Sequence, residues 1–568
     1  MDLDASLKVV GLVGRIQIIN FAIFCLGSSL GAIQLTSIVF TVDQSVVHQC
    51  KPAPGFSANE TRLVFEEDDR LVSDGCYMYQ FDDGTLTKNA TKCQYGWEYA
   101  PEFGERSAVT DFDLVCNRGY LANLLVSIHF AGVLVGGFIT GQAADMFGRR
   151  VVIMATLLLM SVLGTAISFS WNLQLLMALR FLLGVAIPGT CLVSHIRVVE
   201  MFTPKKRPLA HMIFQHAWTL GNVLVALLAF LFPNWRYLQL FTSLMCVPAC
   251  VIMWFCTYES IRWLVQKGRL DKAEAILQKI AKSKNIKHDR SFLEKLQMEG
   301  APTPGNTAFS ETPTNEHVTD EREGPTADVG ERNEGREIGN PTQAICSEED
   351  DVTKTKIVKK YTVLDLFKTK VLIKHTCIIF CFWLIMNVSY FGLLLYSTSL
   401  SGNKYLNFFL LAVSEAPAYS IDFFILRRFG RRRPLIMFFF TGAVACLLVA
   451  FLPVKPGNGI DLTILIVALV MIGKFFSNAT FDVTLLVGAE IFPTMLRNIA
   501  TGSASTVGRV GAIVAPFIVN LQEVRSFLPM LVIGCMSLVA CSLVFMLPET
   551  KNKPLPETYE DASKLLKD

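Results

Sequence analysis

Apolar runs of bilayer-spanning length recur along nearly the whole chain, and they constrain its fold more than any other feature. Because a bilayer interior offers no water to backbone N–H and C=O groups, such runs cross it as helices. Only 18% of the 568 residues are charged, fewer than in ordinary soluble proteins. Hydropathy therefore predicts an all-α membrane protein with about twelve transmembrane helices. They cover about 16–40, 120–140, 151–169, 173–195, 211–232, 237–257, 371–396, 405–426, 435–453, 461–487, 500–520 and 527–547.

The short loops carry a charge pattern that predicts the orientation of the chain. Lys and Arg cluster at Arg149–Arg150, Lys205–Arg207 and Arg427–Arg433, and these basic loops alternate with nearly neutral ones. Basic loops face the cytoplasm, so both termini are predicted to be cytoplasmic. The long hydrophilic segment 41–119, after the first span, then lies outside the cell.

This large extracellular loop is predicted to be oxidised and glycosylated. Two N-glycosylation acceptors occur in it, at Asn59 and Asn89. In an external compartment its cysteines would form two disulfides, and three connectivities are possible. The four cysteines are Cys50, Cys76, Cys93 and Cys116.

The hydrophilic segment 258–370 is predicted to be a cytoplasmic linker. From Arg269 to Lys284 the apolar residues recur with helical spacing. Within 301–353 the chain is rich in Pro, Gly, Thr, Asn and Glu, a composition typical of disorder. The predicted division of the chain is an N-terminal six-helix half at 1–257, this linker, a C-terminal six-helix half at 371–547 and a cytoplasmic tail at 548–568.

An internal repeat indicates how the twelve spans are organised. The Glu-x-Phe motif that starts at Glu200 recurs at Glu490, and the Glu-Ser pair at Glu259 recurs as Glu-Thr at Glu549. Both offsets are 290 residues, since 490 − 200 and 549 − 259 are equal. Two six-span halves repeated in parallel form carriers whose solute site lies between the halves at mid-membrane.

Several motifs resemble those of a known transporter family. The run from Gly141 to Arg150, Gly-Gln-Ala-Ala-Asp-Met-Phe-Gly-Arg-Arg, resembles the loop signature of the major facilitator superfamily. Arg180-Phe-Leu-Leu-Gly184 resembles its fourth-span motif. The segments Glu259–Leu264 and Glu490–Asn498 resemble the organic cation/anion/zwitterion (carnitine) transporter family within it. The resemblance implies the major facilitator fold, alternating access and a place in the plasma membrane.

The charges at the cytoplasmic span ends are interpreted as a conformational gate. Salt bridges among them would hold the cytoplasmic side closed and break when it opens. The alternative, a topology signal of solvated arginines, does not explain acids at repeated positions. The residues assigned to gating are Gly141, Asp145, Gly148, Arg149, Arg150, Glu200, Arg207, Glu259, Arg262, Glu490 and Arg497.

Four charged residues lie deep within predicted spans, and such residues mark functional sites because they are costly in hydrocarbon. They are Glu415, Lys474, Asp482 and Arg509. Lys474 and Asp482 are eight residues apart, which puts them on roughly one helix face. Two acids and two bases could also neutralise one another in an internal network. Asp422 is interpreted as pairing with the basic loop Arg427–Arg433.

The resemblance adds an aromatic and polar wall to the predicted substrate site. Trp383, Tyr390, Gln215 and Trp218 match positions that line the cavity of the organic cation branch. Glu415 matches an acid shared by cation and carnitine carriers. Cation carriers have Asp at the place of Arg509, whereas anion and carnitine carriers have Arg. A quaternary ammonium suits Trp and Tyr faces through cation–π attraction.

The leading hypothesis is a carrier for a small organic zwitterion such as carnitine. The alternatives are an organic cation carrier with Arg509 neutralised by Asp482, an organic anion carrier, and a solute receptor that does not transport. The sequence offers no nucleotide-binding loop, metal-ligand cluster or catalytic set, so neither an enzyme nor a cofactor is expected. The net charge of +3 argues against nucleic acid as a partner.

The coupling ion is left open by the sequence. His195, His216 and Asp482 could bind protons, and sodium coupling or uniport are equally consistent with the residues present. The oligomeric state is also left open.

Overall fold

A computed structural model describes residues 14–52, 55–57, 62–67, 70–82, 85–101, 103–202, 206–283, 362–453, 461–551, 553 and 556–557. Within these residues, eleven helices are long and apolar enough to cross a membrane, and a shorter apolar helix forms the twelfth span. We number the spans in chain order. They comprise Arg15–Thr36 with Ile38–Thr41, Gly119–Phe147, Arg149–Ser168, Leu173–Met201, Arg207–Leu231, Trp235–Leu244 with Cys246–Cys256, Lys370–Tyr396, Lys404–Val413 with Glu415–Phe429, Arg432–Phe451, Thr463–Ile491, Thr494–Asn520 and Leu528–Val544.

The twelve predicted spans are therefore confirmed, with ends that shift by a few residues. Each half has its own apolar core. The halves meet where the second span packs on the eleventh and the fifth packs on the eighth.

The eighth span is interrupted beside one of the deep charges. Its first helix ends at Val413, and a second begins at Glu415. Pro417 has no N–H to donate to the Val413 carbonyl four residues earlier, so the helix cannot continue unbroken. Glu415 consequently lies in a helical first turn, where the helix dipole favours a carboxylate.

The extracellular loop contains β-structure that the sequence analysis did not predict. Strand β1 (Val47–Cys50) pairs antiparallel with β5 (Trp97–Ala100). Strands β2 (Arg62–Glu67), β3 (Arg70–Asp82) and β4 (Thr85–Lys92) form a three-stranded antiparallel sheet in that order. A short helix, Ala108–Asp111, and a 3-10 turn, Cys116–Arg118, lead into the second span.

The two predicted disulfides are present in this loop. Of the three possible connectivities the structure has Cys50–Cys93 and Cys76–Cys116. Asn89 is exposed on β4, which leaves it accessible to a glycan. Asn59 lies outside the described residues, and glycosylation of both sites stays a prediction.

The described part of the cytoplasmic linker begins with two short helices, Ile261–Gln266 and Leu270–Lys282. Leu277 and Ile280 of the second helix are buried against Trp263 of the first. This confirms the predicted helical spacing after Arg269. A 3-10 turn, Val363–Phe367, precedes the seventh span, and the predicted disordered region 301–353 lies outside the described residues.

Candidate substrate site and gates

Two of the deep charges form a buried ion pair between helices of the C-terminal half. Lys474 Nζ of the tenth span lies 3.4 Å from Glu415 Oε1 of the eighth, and both side chains are fully buried. The same ammonium lies 3.1 Å from the centroid of the Tyr390 ring and 3.1 Å from the Tyr390 carbonyl oxygen. Lys474 therefore has a carboxylate, an aromatic face and a carbonyl as partners.

The fifth span of the N-terminal half closes this pair from the opposite side. Asn222 Nδ2 donates to Glu415 Oε2 at 3.1 Å. Trp218 Nε1 donates to the Tyr390 hydroxyl at 3.1 Å, and Asn222 Nδ2 is 3.3 Å from the same oxygen. Of these residues, Asn222 is the one that the sequence analysis missed, because a lone amide inside a span follows no pattern.

Arg509, the other deep cation, projects from the eleventh span against the N-terminal half. A Cβ at Gly137 of the second span would lie 2.0 Å from Arg509 Nη1, so the missing side chain makes room for the guanidinium. Arg509 also lies close enough to Cys191 of the fourth span for an electrostatic interaction. No ion pair or hydrogen bond of its guanidinium occurs among the described residues. The alternative in which Asp482 neutralises Arg509 is therefore not what the structure has.

Asp482 instead pairs with a histidine of the other half. His211 Nε2 of the fifth span is 3.3 Å from Asp482 Oδ1 of the tenth. His211 Nδ1 is 2.8 Å from His195 Nε2 of the fourth span, and the two rings meet edge to face. His211 was not predicted, because it stands alone near the start of its span.

Asp422 is the least expected of the buried charges. It is 2% exposed, and both carboxylate oxygens have no hydrogen-bond partner among the described residues. The interpretation that it pairs with the loop Arg427–Arg433 is wrong for the side chains that the structure describes. The Asp422 carboxyl lies within electrostatic range of Asp482.

Two predicted wall residues lie apart from the ion pair. Trp383 is buried and packs edge to face on Phe481, with ring centroids 5.4 Å apart. Gln215 is partly exposed, and its side-chain amide makes no hydrogen bond within the described part of the chain. Gln215 can therefore offer its amide to a ligand, whereas Trp383 supports the eleventh span, where it lies against Gly508.

The N-terminal cytoplasmic cluster contains several of the predicted gating residues. Arg149 Nη2 bridges Asp145 at 3.0 Å and Glu200 at 3.2 Å. Glu259 Oε1 accepts from the backbone N–H groups of Arg149 and Arg150 at 3.0 and 3.2 Å. A carboxylate thus caps the start of the third span, where unpaired N–H groups and the helix dipole favour negative charge.

The C-terminal half repeats this cluster almost group for group. Arg431 Nη2 bridges Glu490 at 2.8 Å. Glu549 accepts from the backbone N–H groups of Arg431 and Arg432 at 3.0 and 3.1 Å. Burial raises the pKa of the Glu549 carboxyl, but these backbone hydrogen bonds outweigh it and hold the pKa below its ordinary value.

Glycine is needed at the same point of both clusters. Gly148 has φ of 108° and Gly430 has φ of 87°, which side chains rarely adopt. A Cβ at Gly148 would lie 2.4 Å from Glu259 Oε2, and one at Gly430 would lie 2.8 Å from Glu549 Oε2. The repeated glycines therefore bring the loop close enough to receive the repeated carboxylates.

The remaining predicted gating residues have less specific surroundings. Arg207 Nε donates to the Phe202 carbonyl at 3.1 Å, and Arg262 lines a cytoplasmic cavity with Glu200. A Cβ at Gly141 would meet nothing within 4 Å. Arg431, which was not among the predicted gating residues, bridges Glu490, whereas Arg497 Nε and Nη2 have no partner among the described residues. Gating by all these residues stays a prediction.

The end of the molecule that carries the loop 41–119 has an ion pair that joins the two halves. Lys404 Nζ, at the start of the eighth span, lies 2.7 Å from Asp43 Oδ2 and 2.8 Å from Glu105 Oε1. Both acids belong to the N-terminal half and its loop, and both are nearly inaccessible. Next to them Tyr405 stacks on Phe40, with ring centroids 5.5 Å apart. This external bridge was not predicted, because its partners are 361 residues apart.

Two parallel six-span halves, with charged side chains where they meet and a charge cluster at the same end of each half, define a membrane carrier. A family model described as Major Facilitator Superfamily matches residues 117–516. The chain belongs to this superfamily and, within it, to the solute carrier 22 family of organic cation, anion and carnitine transporters. It is therefore an integral membrane transporter of small organic ions and not an enzyme.

Three curated relatives illustrate the similarity. Human solute carrier family 22 member 16 is 32% identical over 481 residues, which cover 85% of this chain and 74% of that protein. An organic cation transporter protein of Drosophila melanogaster is 30% identical over 511 residues, covering 88% and 82%. A beta-alanine transporter of the same organism is 28% identical over 477 residues, covering 84% and 69%.

Solved structures of the xylose transporter XylE from E. coli share the fold. Its inward-open conformation is 16% identical, with a TM-score of 0.58 and coverage of 96% of this chain and 98% of that one. A partially occluded inward-open conformation is 14% identical, also with a TM-score of 0.58, over 95% and 99%. At these identities the likeness shows the fold alone.

Proposed function

We propose that this protein is an alternating-access carrier for a small zwitterion that bears an ammonium group and a carboxylate, such as carnitine or a related compound. The observation that carries the proposal is the unequal pairing of the deep charges. Glu415 has Lys474 as its counter-ion, whereas Arg509 has no acidic partner among the described residues. Arg509 is half-buried within a span, where a cation without an anion is costly, so the site favours a ligand that supplies a carboxylate.

The ammonium end of the ligand is assigned to the surroundings of Glu415. Lys474 already holds an ammonium against the Tyr390 ring, which supports the suitability of this position for a cation. A ligand ammonium that displaced Lys474 would meet Glu415, Tyr390 and Trp218. Each aromatic contact would contribute about 0.5–2 kcal/mol. Gln215, with its unengaged amide, would bind a polar part of the ligand.

The gates support a cycle in which access alternates between the two membrane faces. The Lys404 bridge joins the halves at the extracellular end, and the bridges of Arg149 and Arg431 each stay within one half. In this proposal breaking the Lys404 bridge opens the outside, and rearranging the cytoplasmic clusters opens the inside. The carrier would act in the plasma membrane, with both termini, the linker and the tail in the cytoplasm.

An organic cation carrier is the second candidate. Glu415 favours it, and the Drosophila relative named as an organic cation transporter agrees with it. The relative named as a beta-alanine transporter agrees instead with the first candidate, because beta-alanine carries an amine and a carboxylate.

The test compares L-carnitine with choline, which has the quaternary ammonium but no carboxylate. In proteoliposomes we expect Arg509→Ala to weaken the apparent affinity for carnitine about tenfold to a hundredfold, since a charge-assisted hydrogen bond contributes about 1.5–3 kcal/mol. Any choline uptake should change little. Equal loss for both ligands would contradict the proposal, and choline uptake without carnitine uptake would establish the cation carrier. Binding without flux would indicate a receptor.

A milder variant tests the same contact without removing the charge. Gly137→Ala would place a methyl group 2.0 Å from the present position of Arg509 Nη1, so the guanidinium must move. We expect a selective loss of carnitine affinity that is smaller than in Arg509→Ala. Gly502→Ala, on the same span as Arg509, is the matched control, because its Cβ would meet nothing within 4 Å.

A further inference from the structure

A second group of titratable side chains lies between the halves, displaced from the Glu415–Lys474 pair. Asp422 is seven residues beyond Glu415, and Asp482 is eight residues beyond Lys474. At the rise of an α-helix these separations are about 10–12 Å, toward the cytoplasmic ends of both spans. The proposed substrate contacts leave this lower layer unused.

Hydrogen bonds link the lower layer across the two halves. For Asp482 to accept from His211 Nε2 as a carboxylate, that nitrogen must carry a proton, and His211 Nδ1 then accepts from His195 Nε2. The fourth, fifth and tenth spans thus form one chain, His195 to His211 to Asp482. A proton added to Asp482 or His211 changes which side chain donates and which accepts in each hydrogen bond.

Asp422 provides the independent observation. Asp422 is 2% exposed, and neither of its carboxylate oxygens has a hydrogen-bond partner among the described residues. Asp482 interacts electrostatically with Asp422, and two carboxylates repel each other when both are charged. A carboxyl oxygen that lacks a hydrogen-bond partner can take up a proton and then act as a donor.

The other ionisable groups of these spans do not neutralise the two acids. Tyr419, on the Asp422 helix, is buried near both carboxyls. His216 of the fifth span contacts Ser420 Oγ at 3.1 Å, and Arg197 of the fourth donates to the Tyr258 and Glu259 carbonyl oxygens. Among the described side chains, no Lys or Arg forms an ion pair with Asp422 or Asp482.

We propose that Asp422 and Asp482, linked to His211 and His195, form a proton-binding site that couples substrate entry to the entry of one proton. The proposal rests on the carrier function above. The proton comes from water on the open side, forms one O–H or N–H bond in the site, and returns to water on the other side. A neutral zwitterion and one proton together move one positive charge per cycle. Imidazole ligands fit a sodium ion poorly, since hard cations prefer oxygen.

The first experiment measures carnitine accumulation in proteoliposomes of the full chain. With about 1.5 pH units across the membrane, acid outside, we expect accumulation of up to about thirtyfold, because each unit is a factor of ten in proton activity. An inside-negative potential should increase it further. Asp422→Asn fixes a neutral side chain, so accumulation should fall to the level without a gradient, and counterflow exchange should lose its pH dependence. His211→Gln should weaken coupling as well.

Asp461→Asn is the matched control. Asp461 is an exposed carboxyl at the external start of the span that carries Asp482, and Asn can still cap Thr463 N–H. It should leave proton-driven accumulation unchanged. Wild-type accumulation that ignores the pH gradient, or follows a sodium gradient instead, overturns the proposal. So does full coupling in Asp422→Asn.

The second experiment needs no substrate. A carboxyl that is neutral when folded and ionised when unfolded stabilises the folded state at low pH and loses that effect as pH rises. The apparent melting temperature of the wild type should therefore fall between about pH 5.5 and about pH 8, and this fall should be smaller in Asp422→Asn but not in Asp461→Asn. Equal falls in all three proteins overturn the proton site. If the expected difference appears but carnitine is not transported, the proton site is supported and the substrate proposal fails.

Discussion

The two halves are built alike at the ends that carry the Arg149 and Arg431 clusters and differently inside the spans. Glu259 and Glu549 cap equivalent helix starts, and Arg149 and Arg431 bridge equivalent acids. Inside the described spans, by contrast, the fully buried acids Glu415 and Asp422 both belong to the C-terminal half. The N-terminal half faces them with histidines and neutral amides. The comparison teaches that the repeated residues serve a movement common to both halves, whereas the unrepeated ones determine what is carried.

The largest effect should come from the unrepeated interior. Lys474→Met leaves Glu415 as a fully buried carboxylate without its counter-ion, so we expect a loss of about 3–5 kcal/mol in stability. Lys474→Met combined with Glu415→Gln removes both charges and should recover most of the apparent melting temperature. Lys370→Met, at an exposed span start, should change the free energy of unfolding by less than about 0.5 kcal/mol. Unchanged stability of Lys474→Met would mean that the buried ion pair does not stabilise the fold.

A smaller and equal effect is expected from the repeated clusters. Glu259→Gln and Glu549→Gln each remove the charge from a set of backbone hydrogen bonds that includes those of the repeated Arg-Arg pair, and such bonds are worth about 1.5–3 kcal/mol. Both variants should slow turnover in exchange assays to a similar degree while substrate affinity from outside is kept. If one variant is silent and the other inactive, the two clusters do not act alike.

The bridge of Lys404 to Asp43 and Glu105 is predicted to hold the external side closed. Lys404→Gln should destabilise the conformation that is closed on the external side by about 1–2 kcal/mol. This corresponds to about a five- to thirtyfold shift toward the conformation that is open to the outside. Ser127→Cys provides the readout, since Ser127 Oγ donates to the Ile513 carbonyl across the halves and is nearly inaccessible. Labelling of this cysteine by a membrane-impermeant thiol reagent should rise in the Lys404→Gln background, and constant labelling would contradict a gating role.

The same readout has a predicted pH dependence. Burial raises the pKa of the Glu105 carboxyl, but hydrogen bonds from Lys404 and the Phe103 N–H outweigh it and lower the pKa below its ordinary value. The bridge is then fully formed above the ordinary glutamate value of about 4.3 and is lost only as pH falls through the lowered one. Because the thiolate is the reacting form, labelling of Ser127→Cys is measured relative to that of a free thiol at the same pH, and this ratio should stay constant from neutral pH to about 5, unlike the proposed proton site.

The smallest effect is expected at the glycosylation sites. Asn59→Gln and Asn89→Gln should together abolish any glycosidase-sensitive mobility shift without changing transport, because Asn89 is exposed on β4 and far from the bridge residues in sequence. A shift that persists in the double variant would show that other residues are glycosylated.

Regular patterns made the fold predictable, and isolated residues made parts of the site unpredictable. Apolar run lengths located the twelve spans, and the 290-residue offset located the paired clusters at Glu200 and Glu490. The disulfide pairing did not follow from spacing, because four cysteines in one loop allow every connectivity. His211 and Lys404 were missed because their partners come from distant spans, and only packing of the halves brings them together.

The Lys474–Glu415 pair has a consequence for the kinetics of the empty carrier. Because Glu415 already has a tethered cation, the empty carrier does not expose this carboxylate as a lone charge, although Arg509 stays without an acidic partner. The barrier to returning empty is then lower than for a site with an uncompensated carboxylate. We therefore expect net uptake into a compartment that holds no substrate, in addition to one-for-one exchange. Lys474 thus remains the counter-ion of Glu415 while the empty carrier changes its conformation.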